Sequence, residues 1–368
     1  MLALGITVER FLEPLSIILR MDVENGRCSV PVEGTLRRAF PTLLFLFPLK
    51  KKFMLRNHSP IPRLFSSLVV VLLLAESCAI TAKEGLIQVE YDVVYGEAGG
   101  QELLLDVYRP AGPQKIRPAV ILVHGGGWSG GDKKDFTKDE VSFYAKQSYV
   151  CFNINYRLAT KDSNKYPAQL DDVQRAVRWI RSKAVQYGID PKRIGAFGGS
   201  AGGHLVALLG TRDTRDNSDP TLAQYSSRVT CVVDLAGPKD LTVKLPVEPV
   251  DVESLVVNFL GKPRSEASDS YREASPLFSV DKKTVPFLIL HGTEDALVPL
   301  DQSERFYEAL HKVGVEASLI KLEGEGHELK RQVTLVVNKS VEFFDRHLIS
   351  HLTPALKSDD VRTKPQHK

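Results

Sequence analysis

The chain has 368 residues, of which 43% are hydrophobic and 25% are charged, and these are ordinary values for a globular protein. They exclude a wholly disordered chain, a collagen and a coiled coil. Forty-eight basic and 45 acidic residues leave a net charge of +3, too small to indicate a nucleic-acid-binding protein. Four cysteines exclude a disulfide scaffold. We therefore expect a globular enzyme or a small-ligand-binding protein.

Residues 54–82 have the organisation of a secretory signal peptide. A positively charged segment follows Met54, an apolar run follows over 64–75, and small residues continue to Ala82. The apolar run is shorter than the roughly 20 residues that span a bilayer, so an uncleaved membrane anchor is only the alternative. We expect cleavage near Ala82, with residues 1–53 an upstream read-through and no stable membrane span in the mature chain.

Export to the periplasm or the medium bears on the cysteines. A lipoprotein anchored at Cys78 is a further alternative, although the three residues before it make a poor lipid-attachment motif. The mature chain would keep Cys151 and Cys231, each inside an apolar run. Because a buried free cysteine behaves as a small hydrophobic residue, we expect both thiols to be buried and unpaired.

From Leu86 onwards, apolar runs typical of strands alternate with amphipathic segments typical of helices. The first two strands alternate apolar and polar residues, as at an antiparallel edge, whereas runs such as Ala119–Val123 are apolar on both faces. The clearest helix is predicted from Pro167 to Tyr187, with Gly188 as its C-terminal cap. The eight predicted strands are Ile87–Val94, Glu102–Tyr108, Ala119–Val123, Val150–Asn155, Arg193–Phe197, Thr230–Leu235, Pro286–Leu290 and Ala317–Leu322.

This alternation predicts one α/β domain over residues 83–350, with a mostly parallel eight-stranded sheet and helices on both faces. Residues 213–280 are longer and more polar than a simple crossover, which predicts a partial, lid-like insertion over the C-terminal edge of the sheet. Residues 351–368 form a polar tail that we expect to be disordered. The adjacent Lys133 and Lys134 are expected to be solvated.

A predicted strand, a turn of small residues and an apolar helix meet at Ser200. Gly198, Ser200 and Gly202 fit the pattern Gly-x-Ser-x-Gly. Such a turn holds the serine in strained backbone geometry and exposes its hydroxyl at the C-terminal edge of the sheet. The N-terminus of the following helix presents free N–H groups to developing negative charge. The pattern in this context predicts a nucleophilic serine.

A nucleophilic serine needs a base to take its proton and an acid to orient that base. Asp295 and His327 each follow a predicted strand, as Ser200 does, and open α/β sheets gather their sites at these strand ends. The order serine, aspartate, histidine is the one expected of an α/β hydrolase. Alternative acids and bases near these positions are Glu294, Asp301, His204 and His291.

Residues 124–128 read His-Gly-Gly-Gly-Trp after an early strand. Glycines let backbone N–H groups approach a substrate oxygen closely, and the N–H of Ala201 can join them as an oxyanion hole. Removing one such donor typically costs about 3–4 kcal/mol of transition-state stabilisation. Trp128 either packs against the loop or forms a wall of the acyl pocket. The residues that we expect to line the pocket are His124, Gly125, Trp128 and His204.

With these motifs, residues 87–345 resemble the α/β-hydrolase-fold serine esterases and lipases. The likeness is to the bacterial branch with the His-Gly-Gly-Gly run, which includes hormone-sensitive-lipase-like esterases and exported acetyl-xylan or feruloyl esterases. It extends through 155–158, 166–172 and 291–295. Gly199 departs from it, since many hormone-sensitive-lipase-like members carry an acid there, and this favours the carbohydrate-esterase side. The resemblance implies a nucleophile, an acid, a base and three oxyanion N–H donors at Ser200, Asp295, His327, Gly126, Gly127 and Ala201.

Two patterns that suggest a cofactor lack the context they need. Residues 125–130 also fit Gly-x-Gly-x-x-Gly, but a dinucleotide site needs an acidic residue about 20 positions on, and the strand end at 153–157 has none. His347 and His351 are four residues apart, a spacing compatible with a metal, but no third ligand accompanies them. We therefore expect no metal and no organic cofactor.

The prediction is an exported serine carboxylic-ester hydrolase that forms an acyl-enzyme. Its expected partners are small-molecule or polysaccharide esters, with short-chain or carbohydrate-linked acetyl and feruloyl groups favoured. The alternatives are a lipase on lipid esters, a serine peptidase of the prolyl-oligopeptidase type, and a non-catalytic hydrolase-like binding module. The segment before Leu86 is too short for the propeller that such peptidases usually carry. The oligomeric state stays open.

Overall fold

The computed structural model describes residues 20–22, 27–29, 87–112 and 115–349. The predicted signal peptide (54–82) and polar tail (351–368) lie outside the described residues, as does most of the predicted read-through (1–53). The chain divides into two compact units, residues 1–69 and 70–368. In the first unit, strands β1 (Arg20–Asp22) and β2 (Arg27–Ser29) pair antiparallel.

The second unit is built on one eight-stranded sheet. Its strands are β3 (Ile87–Ala98), β4 (Gln101–Pro110), β5 (Arg117–Val123), β6 (Val150–Ile154), β7 (Ile189–Gly199), β8 (Cys231–Leu235), β9 (Phe287–Gly292) and β10 (Ala317–Leu322). The order across the sheet is β10-β9-β8-β7-β5-β6-β4-β3. Strands β5 to β10 pair in parallel, whereas β4 pairs antiparallel with both β3 and β6. The prediction of a mostly parallel sheet with an antiparallel edge is confirmed.

Helices cover both faces of this sheet. They are α1 (Lys138–Lys146), α2 (Ala168–Ser182), α3 (Ala184–Tyr187), α4 (Ala201–Thr211), α5 (Val252–Leu260), α6 (Ser268–Glu273), α7 (Asp301–Lys312) and α8 (Val333–Phe344). Ile121 and Val123 of β5 pack into one apolar cluster with residues of α2 and α4. Val120 and Leu122 pack into a second with residues of α1 and α8. Because side chains alternate along a strand, each face of the sheet has its own core.

The helix predicted from Pro167 to Tyr187 is present but divided. It starts at Ala168, is interrupted at Lys183 and ends at Gly188, which has a φ of 64°. Glycine adopts this left-handed conformation at low cost, which explains the end of the helix. Cys151 and Cys231 are buried free thiols in β6 and β8, as expected.

The segment 213–280 has two parts with different surroundings, because residues 231–235 form strand β8 of the central sheet. The part before β8 is bound to α2. There the guanidinium Nε of Arg178 donates to the carbonyl oxygens of Leu222 (3.1 Å) and Tyr225 (3.0 Å). The part after β8 contains α5 and α6, and it contributes the wall of the cavity described below.

Lys133 is buried, so the prediction that it is solvated was wrong. Its side chain is 1% exposed, and its ammonium lies 2.7 Å from Asp106 and 2.8 Å from Asp92. Burial opposes the charge, but the hydrogen bonds to both carboxylates outweigh it and raise the pKa of Lys133. The ion pairs fasten the loop that follows the glycine run to strands β3 and β4. Lys134, the next residue, is exposed as predicted.

Substituting Lys133→Met tests this anchor. The change leaves the Asp106 carboxylate buried without its cation, which should cost about 3–5 kcal/mol of the free energy of unfolding. Urea denaturation measures the loss, and Lys134→Met is the matched control, expected to stay within about 0.5 kcal/mol of wild type. Equal stabilities for the two variants would show that the buried ion pair does not anchor the loop.

Candidate active site

Ser200 lies between the end of β7 and the start of α4 in a strained backbone conformation, with φ 55° and ψ −122°. Residues other than glycine rarely have positive φ. The N–H of Ser200 donates to the carbonyl oxygen of Leu235 (2.8 Å), and the Ser200 carbonyl oxygen accepts from the N–H of His204 (2.9 Å). Strand β8 and the first turn of α4 therefore hold the strained turn from both sides.

The glycines of the Gly-x-Ser-x-Gly pattern are required by close backbone packing. A Cβ on Gly202 would lie 2.0 Å from the carbonyl oxygen of Val123, and one on Gly198 would lie 2.5 Å from the carbonyl oxygen of Gly202. At Gly199 the nearest atom to an added Cβ would be 3.8 Å away. The two glycines of the motif are therefore fixed by packing, whereas position 199 has room for a side chain.

The structure brings Ser200, His327 and Asp295 into one hydrogen-bonded line. His327 Nε2 lies 2.8 Å from Ser200 Oγ, and His327 Nδ1 lies 2.7 Å from Asp295 Oδ2. An ionised carboxylate only accepts hydrogen bonds, so Nδ1 carries the proton and Nε2 is free to accept one from the hydroxyl. This is the arrangement of an activated nucleophile, its base and the group that orients the base.

The side chain of Asp295 is fully buried and remains ionised. Burial alone would raise its pKa, but hydrogen bonds from His291, His327 and the backbone N–H of Val298 outweigh it and hold the pKa well below its usual range. Oδ1 accepts from the backbone N–H groups of Leu297 (2.8 Å) and Val298 (2.9 Å). The carboxylate therefore faces His327 as an anion.

The alternative acids and bases take other places. Asp301 pairs with Arg305 on the surface of α7, with Nε and Oδ2 3.2 Å apart. The Glu294 backbone N–H donates to the Glu325 carbonyl oxygen, 2.9 Å away. His291 is buried and contacts Asp295 from behind, as described below. None of these groups replaces Asp295 as the partner of His327.

The glycine run adopts backbone conformations that favour glycine. Gly126 has a φ of 97° and Gly127 a φ of 56°. A Cβ on Gly126 would lie 2.3 Å from the carbonyl oxygen of Gly130, and one on Gly127 would lie 2.7 Å from Leu255 Cδ1. The tight turn brings the backbone of this loop to the cavity wall, where N–H groups can meet a substrate oxygen.

The loop also passes directly beside the serine turn. A Cβ on Gly125 would lie 3.3 Å from Ser200 Cβ. Ala201 is the first residue of α4, at the end of the helix where N–H groups lack helical partners. The cavity in front of the serine is lined by the predicted oxyanion residues Gly126, Gly127 and Ala201.

His124 supports this loop from below. Its ring is buried and stacks on Tyr156, with centroids 4.3 Å apart, and its Nδ1 lies 2.8 Å from the carbonyl oxygen of Gly125. Burial lowers the pKa of His124, so the ring is neutral at pH 7. As predicted, His124 and Gly125 line the cavity.

Trp128 has both of the roles that the sequence left open. It lines the cavity, and its ring stacks on Phe259 with centroids 4.4 Å apart. Its indole N–H donates to Nδ1 of His204 (3.1 Å), whose Nε2 lies 2.7 Å from the carbonyl oxygen of Ala274. His204 is fully buried and does not line the cavity, which corrects our expectation. Burial lowers its pKa to about 3.

The cavity has a volume of about 560 Å³ and a mostly apolar wall. Its apolar residues outside the glycine run include Phe136, Leu235, Pro238, Val250, Val252, Leu255, Leu297, Val298 and Leu329. The charged residues at its edge are Asp135, Glu328 and Lys330. The wall over 250–255 belongs to the second part of the 213–280 segment. Sequence reasoning missed these residues because no local pattern distinguishes a cavity wall from a core face.

Among residues 87–112 and 115–349, no group of three or more histidine, cysteine, aspartate or glutamate side chains could hold a metal ion. His351, one member of the histidine pair considered above, lies outside the described residues. In the same part of the chain, no helix is both long enough and apolar enough to cross a membrane.

The packing at the serine turn predicts unequal effects of two neighbouring substitutions. In Gly202→Ala the new methyl group must displace backbone, and we expect a loss of about 3 kcal/mol or more of stability. In Gly199→Ala the methyl group has room, and the loss should stay within about 1 kcal/mol. Thermal unfolding followed by circular dichroism measures both, and similar losses in the two variants would contradict the packing argument.

Comparison with known proteins places this chain in a family. The BD-FAE family model matches residues 105–310. The chain is 32% identical over 225 residues to the "Probable carboxylic ester hydrolase LipM" of Mycobacterium tuberculosis, covering 60% of this chain and 52% of that protein. The chain spans about half the length of the curated relatives it matches.

Two solved structures share the fold over nearly their whole length. A truncated carbohydrate esterase from gut microbiota superposes with a TM-score of 0.63 at 27% identity, covering 71% of this chain and 96% of that one. An acetyl ester-xyloside bifunctional hydrolase from Caldicellulosiruptor lactoaceticus gives 0.59 at 25% identity, covering 69% and 95%. Since the family model matches more than half of its 368 residues, the chain belongs to the BD-FAE family, on an α/β-hydrolase fold.

Proposed function

We propose that this chain is a serine carboxylic-ester hydrolase. The observation that carries the proposal is the hydrogen-bonded line from Ser200 Oγ through His327 to the buried Asp295. It lies at an apolar cavity of about 560 Å³, within the usual size of small-molecule sites, beside a loop of glycines. The curated relatives, which are named as ester hydrolases, support the same reaction.

In the proposed reaction, Ser200 Oγ attacks the ester carbonyl carbon while His327 Nε2 takes the hydroxyl proton. The carbonyl oxygen becomes an oxyanion, which the N–H groups of Gly126, Gly127 and Ala201 stabilise. The carbon–oxygen bond to the alcohol then breaks, and the alcohol leaves with the proton from His327. Water attacks the acyl-serine with His327 again as base, which releases the carboxylic acid and restores the Ser200 hydroxyl.

The proposed substrates are short-chain esters and acetyl or feruloyl groups on carbohydrates. The names of the two structural neighbours, a carbohydrate esterase and an acetyl ester-xyloside hydrolase, support this class. The apolar wall suits the acyl group, and the charged edge with Asp135, Glu328 and Lys330 offers hydrogen-bonding groups to a hydroxylated alcohol.

The first test is hydrolysis of p-nitrophenyl acetate by purified protein. Ser200→Ala removes the attacking oxygen and should lower kcat by at least about 10⁴-fold, and Asp295→Asn should lower it by about 10⁴-fold. Ser340→Ala is the matched control and should keep the wild-type rate, because the hydroxyl of Ser340 is buried in α8 and bonds to the carbonyl oxygen of Val336. Circular dichroism establishes that each variant is folded.

A substrate panel then separates the alternatives. Acetylated xylo-oligosaccharides and feruloylated arabinose should be turned over faster than tributyrin or peptide p-nitroanilides. Preference for emulsified tributyrin would indicate a lipase, and preference for the anilides a peptidase. A folded wild type with no turnover that depends on Ser200 would favour a binding module over the proposed hydrolase.

We also propose that the protein is exported and that residues 54–82 are removed, on the organisation of that segment described above. The full chain, expressed with a C-terminal tag in a bacterial host, should yield an exported product whose intact mass corresponds to a start near Lys83. A mass that retains 54–82 would indicate an anchored form, and retention in the cytoplasm would contradict export.

A further inference from the structure

His291 lies behind the acid of the candidate active site and has no part in the proposed reaction so far. It is the penultimate residue of β9 and is fully buried. Its Nε2 lies 2.8 Å from the carbonyl oxygen of Val298 and 3.2 Å from Asp295 Oδ2. Its Nδ1 lies 2.7 Å from the hydroxyl of Ser303, which is also fully buried, in the first turn of α7.

These contacts determine where the protons are. The carbonyl oxygen of Val298 only accepts hydrogen bonds, so Nε2 of His291 carries a proton. That proton is shared between Val298 and the Asp295 carboxylate. In the neutral ring Nδ1 then accepts, and the hydroxyl of Ser303 donates to it. The Val298 carbonyl thereby selects the tautomer of His291 that donates towards the acid, and the hydroxyl of Ser303 satisfies the other ring nitrogen.

The Asp295 carboxylate consequently receives four donors. Oδ1 accepts from the backbone N–H groups of Leu297 and Val298, and Oδ2 accepts from His327 Nδ1. The N–H on Nε2 of His291 is the fourth donor, with Nε2 3.2 Å from Oδ2. A carboxylate has about four acceptor positions, so its capacity is filled. The donor from His291 holds the oxygen that meets His327, and it draws negative charge away from that oxygen.

We propose that His291, held between the Val298 carbonyl and the Ser303 hydroxyl, is a positioning residue that orients Asp295 and limits how strongly this carboxylate stabilises the protonated form of His327. The inference rests on the proposed hydrolase function. Without the donor, Oδ2 carries more negative charge and the carboxylate can turn. The added negative charge stabilises the protonated form of His327, which cannot accept the proton of Ser200. Turning of the carboxylate misplaces the imidazole of His327.

Other charged groups surround the two histidines and stay unchanged in the test. Asp234 and Lys239 form a fully buried ion pair, with Nζ and Oδ2 2.5 Å apart. Lys321 is the residue opposite His291 in the pairing of β9 with β10. Charged residues close to His327 in the chain are the buried Glu325 and the exposed pair Glu328 and Lys330, and Asp135 lines the same cavity as His327.

The test compares two substitutions that differ in one hydrogen-bond donor. His291→Leu fills the space without a donor, whereas His291→Gln can place an amide N–H near the position of Nε2. We expect His291→Leu to lower kcat by about 10- to 100-fold with KM within about twofold, because the base is misplaced by a fraction of an ångström. The acidic limb of the kcat/KM pH profile should move to higher pH. His291→Gln should recover most of both.

Two further variants keep the result decisive. Ser303→Ala retains the ring and removes only the hydroxyl, so it should change kcat and the pH profile in the same direction by less, even if His291→Leu does not fold. His311→Gln, at an exposed position on α7, is the matched control and should behave as wild type. If His291→Leu and His291→Gln change kcat equally and leave the pH profile in place, His291 only fills space and the inference is overturned.

A measurement without turnover separates this inference from the proposed function. The low-field proton resonance of the hydrogen bond between His327 Nδ1 and Asp295 can be titrated in the absence of substrate. Its midpoint should lie at higher pH in His291→Leu than in wild type, whatever the ester specificity. An unchanged midpoint would overturn the inference, whereas a shifted midpoint in a protein that hydrolyses no ester would contradict the proposed function alone.

Discussion

The site depends on one close contact, in which the first turn of α4 packs against the end of β5. An added Cβ at Gly202 would lie 2.0 Å from the carbonyl oxygen of Val123, so only glycine fits at this position. This contact lets the chain reverse from strand to helix within a single residue, and Ser200 takes up the strain with its φ of 55°. The glycine run begins directly after β5, so the same contact places the oxyanion loop beside the serine.

The pairing of strands in the sheet also connects the three strand ends that carry the site residues. Ser200 donates to the carbonyl oxygen of Leu235 in β8, and β8 pairs with β9, which leads to Asp295. Strand β10, paired with β9, leads to His327. Because neighbouring parallel strands end at the same edge of the sheet, the segments that follow β7, β9 and β10 bring the serine, the acid and the base together there.

The sequence predicts features that have a local cause and misses those that depend on distant partners. The pattern around Ser200 can be recognised in the sequence because close packing requires glycine two residues before the serine and two residues after it. Buried strands can be recognised because their side chains are apolar on both faces. Lys133 was misjudged because its partners, Asp92 and Asp106, precede it on strands whose pairing the sequence does not state. His204 was misplaced because one turn of a helix leaves open which side chains meet the cavity.

Several buried polar groups lie at the same kind of position in the fold, and the energetic cost of burying them suggests why. Burying a charge is expensive unless it is paired and hydrogen-bonded, so an intact buried ion pair adds little net stability, although removing one partner is costly. Three such groups lie at the base of loops that line the cavity. Lys133 holds the loop after the glycine run, the pair of Asp234 and Lys239 flanks Pro238, and His291 holds the turn after β9. Loops have few apolar contacts that hold them in place. A buried polar group, in contrast, is satisfied in only one geometry of its hydrogen-bond partners, so it fixes the loop that carries it. A site whose groups must be in place before the oxyanion forms requires such fixed loops.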